Sequence, residues 1–211
     1  MESSAKMTIG VVGAGAWGTA LARVAAERGG SVHLWAREPE VIETIASAHE
    51  NTLFLPGIAL PKTIRATGRL AELGDADLII LAVPAQFLGS VVKELMPSIA
   101  PTTPLVIAAK GIEIGTGRLM SEVVASVAPR APVAVLSGPS FAHEVAKGLP
   151  TALTLAADDK ALAERIATTL ASQRLRLYIS TDVAGAEVGG AVKNVLAIAC
   201  GIATGRRFGE N

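Results

Sequence analysis

Short apolar runs of five to eight residues alternate along this chain with longer stretches whose apolar positions recur every three or four residues. The first pattern reads as buried strand and the second as amphipathic helix. Residues 8–12 and 31–35 are β-rich runs, separated by a glycine-rich turn and an alanine-rich amphipathic stretch over 17–28. Pro39 suits the first position of a helix reaching Ala48, where a missing N–H costs nothing. Residues 50–63 read as an ordered loop and 63–66 as a short strand. Over 77–83 the run is almost continuously apolar, as in a strand covered on both faces. Helices over 85–96, 118–127 and 160–172 then alternate with strands at 104–109, 133–136, 151–156 and 176–179, and a short helix precedes the strand at 151. Repeated strand–helix–strand units with such strands predict the α/β class, as a doubly wound, mostly parallel sheet.

At Thr181-Asp182, a helix N-cap signal, the pattern changes. From there to Thr204 it reads as one long helix, buried over 188–203. This places one domain at 6–180 and the start of a second at 181–211. A lone helix cannot bury itself, so the second domain is expected to be incomplete.

Composition narrows the class. Among 211 residues, 50% are hydrophobic and 18% charged, which excludes a disordered chain. Nineteen basic and nineteen acidic residues cancel, so there is no electrostatic footprint for nucleic acid. No uninterrupted apolar run approaches the length of about 20 residues that a membrane span needs. One cysteine and three histidines exclude an intrachain disulfide and argue against a metal site. Cys200 is expected to be a small core residue. The polar N-terminus has no apolar signal-peptide core, so the expected location is cytoplasmic.

Five features carry chemistry. Gly13-Ala14-Gly15-Ala16-Trp17-Gly18 follows the first strand and opens the first helix, the context a dinucleotide-binding G-x-G-x-x-G requires. Gly13 permits the tight turn, Gly15 admits a pyrophosphate to the backbone, and Gly18 lets helix and strand pack closely. The motif makes the predicted domain Rossmann-type. Arg37, at the end of the second strand, suits a ribose 2′-phosphate and tilts the cofactor toward NADP, with NAD or dual use open. Lys110 closes a buried strand, where ligands of open α/β sheets bind. Ser137-Gly138-Pro139-Ser140 is either an anion-binding turn or an ordinary one. Lys193 is the only charge between Val188 and Ala203, beside Asn194 and after Gly189-Gly190. Paired glycines there imply a close approach to the backbone, and a lysine in a dry site can transfer protons. His33 reads as structural, and Asp75 and Asp77 as turn residues.

These residues resemble the NAD(P)-dependent glycerol-3-phosphate dehydrogenase family of bacterial type. The blocks are Gly13 to Ala20, Asn51-Thr52-Leu53-Phe54-Leu55-Pro56-Gly57, Ala109 to Glu113, Leu136 to Ala142 and Gly189 to Val195, in family order. The resemblance implies hydride transfer between NAD(P)H and dihydroxyacetone phosphate, giving sn-glycerol 3-phosphate for glycerophospholipid synthesis. It makes Lys193 the proton donor and Lys110 a contact to substrate and cofactor. Gly138, Ser140 and Asn194 are assigned to substrate, and Ala16, Trp17, Arg37 and Ala142 to the cofactor site. It also implies an all-helical second domain following Asn211, with an aspartate beside the lysine and further substrate ligands. These 211 residues alone are therefore expected to be largely inactive. A homodimer of the full-length enzyme is left open. The alternatives are a related hydroxyacid or 6-phosphogluconate-type dehydrogenase, which lacks the Leu-Pro-Gly block, and a non-catalytic NAD(P)H-binding redox sensor.

Overall fold

The computed structural model describes residues 7–27 and 30–207. Its eight strands are β1 (Thr8–Val12), β2 (Ser31–Trp35), β3 (Ile64–Thr67), β4 (Leu78–Leu81), β5 (Leu105–Ile107), β6 (Val133–Ser137), β7 (Thr151–Ala156) and β8 (Leu175–Ser180). They form one sheet in the order β3-β2-β1-β4-β5-β6-β7-β8. The helices are α1 (Ala16–Ala26), α2 (Pro39–Ala48), α3 (Leu88–Leu95), α4 (Met120–Val127), α5 (Ala142–Ala146), α6 (Lys160–Leu170) and α7 (Val183–Gly205).

Strand residues alternate between the two faces of a sheet, and β4 shows why its sequence is apolar throughout. Leu78 and Ile80 join one core with β1, α1, α2 and α6. Ile79 and Leu81 join a second core with α3 and α4 on the opposite face. The pairings from β3 through β6 are parallel, as in a doubly wound sheet. The direction reverses once: β7 runs antiparallel to β6, and β8 runs parallel to β7. The expected helix over 85–96 is divided, with 3-10 turns at Ala85–Phe87 and Met96–Ser98 flanking α3. A further 3-10 turn at Leu70–Leu73 was not legible in the periodicity. The smaller assignments hold. His33 Nδ1 lies 2.8 Å from the Glu72 carbonyl, and Asp77 accepts the Thr8 amide at 2.9 Å.

Asp182 caps α7, its carboxylate accepting the Gly185 amide at 2.8 Å. The 23-residue helix behaves otherwise than expected. Val183 and Ala186 pack on the sheet's second core, but Val195, Leu196, Ile198 and Ile202 are exposed. Cys200 is exposed too, not a core residue. The apolar pattern of 188–203 therefore marks a face that nothing among the described residues covers. With a mean hydropathy of 1.4, α7 is long and apolar enough to cross a membrane by length and composition. No uninterrupted apolar run marks it in the sequence, because Glu187 and Lys193 break the run.

The ordered loop after α2 fixes the glycine-rich turn. Asn51 is completely buried. Its Nδ2 donates to the Ala14 carbonyl and to Thr19 Oγ1, each at 2.8 Å, and its Oδ1 accepts the Phe54 amide at 3.0 Å. Thr19 Oγ1 itself donates to the Ala14 carbonyl at 3.2 Å. One amide thus ties together the glycine-rich turn, the first turn of α1 and its own loop. Asn51→Ala is expected to cost about 1–3 kcal/mol, because the buried groups lose their partner. A urea titration should show this as a lower midpoint with an unchanged slope.

Candidate functional site

The order of the strands reverses between β1 and β4, and open α/β sheets bind ligands outside the strand ends at such a point. Gly13 has φ +109, and a Cβ there would lie 2.9 Å from the backbone of Ala82 and Val83. A Cβ on Gly18 would overlap the Gly13 carbonyl, whereas one on Gly15 would meet nothing within 4 Å. The turn is thus closed against the sheet at Gly13 and Gly18 and open at Gly15. Gly15 is also the N-cap of α1, without a side-chain cap and without an acidic residue in the first turn. The free amides and the positive dipole end there suit a phosphate.

A cavity of ≈ 300 Å³ extends from this turn. Gly13, Ala14, Gly15, Trp35, Arg37, Glu38, Ala82, Val83 and Pro84 line it, with Phe54, Phe87 and Val91 supplying apolar wall. Arg37 stands at its rim on an exposed side chain, 3.3 Å from the Glu38 carboxylate. Trp17, in the first turn of α1, has a buried Nε1 with no hydrogen-bond partner among the described residues. The uncapped helix start, the open approach at Gly15 and this orphaned donor fit a dinucleotide.

Beside the turn lies a second cluster. Lys110, just beyond β5, donates to the Gly138 carbonyl at 3.0 Å, and its ammonium sits 5.8 Å from the Trp17 ring centre. Gly138 has φ +150, which favours glycine, and Leu153 fills the space a Cβ would need. Ser140 Oγ is buried without a partner among the described residues. Lys193 reaches in from α7, its ammonium 5.7 Å from the Phe141 ring centre. A ≈ 350 Å³ cavity lies between Ser137-Gly138-Pro139 and the α7 residues Gly185, Ala186, Gly189, Gly190 and Lys193. Partial burial, and then the positive charge of Lys193, hold the Lys110 pKa below its ordinary 10.5. The loop after Lys110 is held in place by Gln86, which bonds the Ile112 carbonyl and the Ile114 amide at 2.9 Å each. Within that loop Thr116 and Arg118 hydrogen-bond Glu113 and lower its pKa, the Thr116 bond contributing most.

The structure brings Gly13, Gly15, Ala16, Trp17 and Gly18 together with Lys110, Gly138, Ser140 and Lys193 at one edge of the sheet. Ala142 is half-buried at the start of α5, in contact with the first core. Asn194 is exposed, and its side chain makes no hydrogen bond among the described residues. Of the paired glycines only Gly190 is closely approached: a Cβ there would lie 2.7 Å from Ser137 Oγ, while Gly189 has open space. Sequence reasoning did not single out Asn51, Phe141 or Glu187. Asn51 stood within a recognised block, but its partners lie 32 and 37 residues away.

Two family patterns match this chain. The NAD-dependent glycerol-3-phosphate dehydrogenase N-terminus covers residues 8–163, and the C-terminus of the same family covers 182–211. Glycerol-3-phosphate dehydrogenase [NAD(P)+] of Parvibaculum lavamentivorans is 57% identical over 96% of this chain and 61% of its own length. Its counterpart in Paramagnetospirillum magneticum is 51% identical over 96% of this chain and 74% of its own. The crystal structure of the Coxiella burnetii glycerol-3-phosphate dehydrogenase superposes with a TM-score of 0.90 at 39% identity, over 98% of this chain and 63% of that one. The chain thus spans about 61% of the length of the Parvibaculum relative. Together the two patterns take in the open glycine turn, Lys110 and the helix that carries Lys193, and this chain belongs to the NAD-dependent glycerol-3-phosphate dehydrogenase family.

Proposed function

We propose that the protein carrying this chain reduces dihydroxyacetone phosphate to sn-glycerol 3-phosphate, and catalyses the reverse, with NADPH or NADH. The observation that carries this reading is the meeting of two lysines, one from the loop after β5 and one from α7, beside a turn built for a dinucleotide. Gly13, Gly15 and Gly18 shape the pyrophosphate site, and Ala16, Trp17 and Ala142 line the cofactor's approach. Bound there, the reduced nicotinamide supplies a hydride to the substrate's carbonyl carbon. The Lys193 ammonium gives its proton to the carbonyl oxygen as that bond forms, so the product is the neutral alcohol. In reverse, the neutral amine accepts the proton. Lys110, fixed by the Gly138 carbonyl, offsets negative charge on substrate and cofactor. Ser140 Oγ, with no partner among the described residues, is available to bond the substrate. Asn194 is adjacent to Lys193 in the chain and joins the substrate contacts in this reading.

A spectrophotometric assay of NADPH oxidation with dihydroxyacetone phosphate, on the protein at its native full length, tests the reading. Lys193→Ala should lower kcat by about 10²–10⁴-fold, the usual contribution of a positioned proton donor. Turnover at the wild-type rate in that variant would remove Lys193 from the reaction. Arg37→Asp should raise the KM for NADPH by about 10- to 100-fold, the worth of a charged hydrogen bond, while sparing NADH. The pH dependence follows from Lys110. A phosphorylated ligand favours its charged form, so affinity is full below the lowered pKa and declines above it, at a pH under 10.5. Calorimetric titration across the alkaline range measures this. For folding, the unfolded chain holds the extra proton in the window between the lowered pKa and 10.5. Lys110's contribution to stability therefore rises with pH through that window.

A further inference from the structure

Glu187 is the one charged side chain among the described residues that is buried, with 6% of its surface exposed. It lies on α7, six residues before Lys193, and is not needed for any step above. Its two carboxylate oxygens accept from a single residue: Oε1 from the Ser121 amide at 2.8 Å and Oε2 from the Ser121 hydroxyl at 2.6 Å. Ser121 is the second residue of α4, so its amide is one of the four that an α-helix leaves without an internal partner. Among the described residues, these are the only hydrogen bonds that join a side chain of α7 to another element.

The placement along α7 is regular. Glu187, Gly190 and Lys193 stand three residues apart, on one slowly turning ridge of the helix, with about 4.5 Å of rise per step. Glu187 meets α4. Gly190 meets the end of β6, where a Cβ would crowd Ser137 Oγ and come within 3.8 Å of Lys110 Cγ. Lys193 lies over Phe141. A glycine contact lets the helix come close but does not fix its position along its axis. Apolar contacts at Val183 and Ala186 are equally tolerant of sliding. A bidentate carboxylate on one amide and one hydroxyl is directional, and it tolerates neither rotation nor translation of the helix.

We propose that Glu187 is a positioning residue: its double bond to Ser121 sets the register of α7 and thereby holds Lys193 over the substrate cavity. This rests on the role of Lys193 under Proposed function. The carboxylate acts by geometry. A glutamine can reproduce both bonds, its oxygen accepting the Ser121 amide and its NH₂ donating to the Ser121 hydroxyl. An alanine can reproduce neither.

The test compares Glu187→Ala and Glu187→Gln with wild type, in the protein at its native full length. For Glu187→Ala, kcat should fall by up to about 100-fold, the effect of a misplacement near 1 Å. The KM for NADPH should stay within about twofold, because the glycine-rich turn is untouched. The solvent deuterium isotope effect on kcat should rise, since proton delivery becomes slower. Glu187→Gln should recover most of the loss. Ser121→Ala, which keeps the amide, should fall between the two. An alanine variant with wild-type kcat and isotope effect would overturn the proposal. So would a kcat that falls only with the folded fraction at an unchanged isotope effect, or a glutamine variant as impaired as alanine. Lys193's rate of labelling by trinitrobenzenesulfonate, mapped by mass spectrometry, is independent of turnover. It should rise severalfold in Glu187→Ala, and an unchanged rate counts against the proposal. Should wild type fail to turn over dihydroxyacetone phosphate, the functional reading falls while this labelling still decides the role of Glu187.

Discussion

The central strands carry apolar side chains on both faces, and everything polar in the molecule is arranged around that fact. Leu78, Ile79, Ile80 and Leu81 leave no charged or hydroxyl group on β4, and β5 is the same. Helices must then cover both faces to remove this surface from water. Chemistry is left to the edge where the strands end and the chain turns, with free backbone groups and room for side chains. Gly13, Ala82 and Gly138 follow directly on the end of a strand, Lys110 stands three residues beyond β5, and the candidate site is assembled there.

That edge concentrates positive charge. Lys110 and Lys193 come from elements far apart in sequence, and each raises the cost of the other's charge. Partial burial, and after it this repulsion, hold the Lys110 pKa below its ordinary value. Such an arrangement costs the free protein stability and is relieved by an anion. The same two ammonium groups rest near aromatic rings, Trp17 and Phe141, whose electron-rich faces offset part of the repulsion. The site is therefore organised before any anion arrives, and the charge it would meet is the charge it lacks.

Much of this was legible in the chain, for local reasons. β2 over Ser31–Trp35 and α2 over Pro39–Ala48 fall where alternation and a proline placed them. Gly13 and Gly15 announce themselves because only glycine fits their conformation or the approach they allow. Lys193 stood out as a charge in an apolar stretch. The remainder depends on partners remote in sequence. Asn51 reaches Ala14, and Glu187 reaches Ser121 across 66 residues, and neither pairing leaves a periodic trace. Hydrophobic patterning also tells that a face seeks cover without telling what covers it. This is why 188–203 read as buried while Cys200 and its neighbours stand exposed. Nor does patterning carry direction, so the reversal at β7 was invisible.

That reversal decides which way α7 travels. β6 ends at Ser137, but β7 and β8 run back the other way. Ser180 finishes level with Ala156, which pairs with Val135, two residues short of the end of β6. The chain leaves the sheet below its chemical edge. α7 climbs toward that edge and reaches it at Gly190, against Ser137. A β8 running parallel to β6 would have released the chain at the edge itself, and the helix would have begun where it now arrives. The antiparallel pair acts as a return stroke, giving α7 two turns of run-up on the sheet before it presents its lysine.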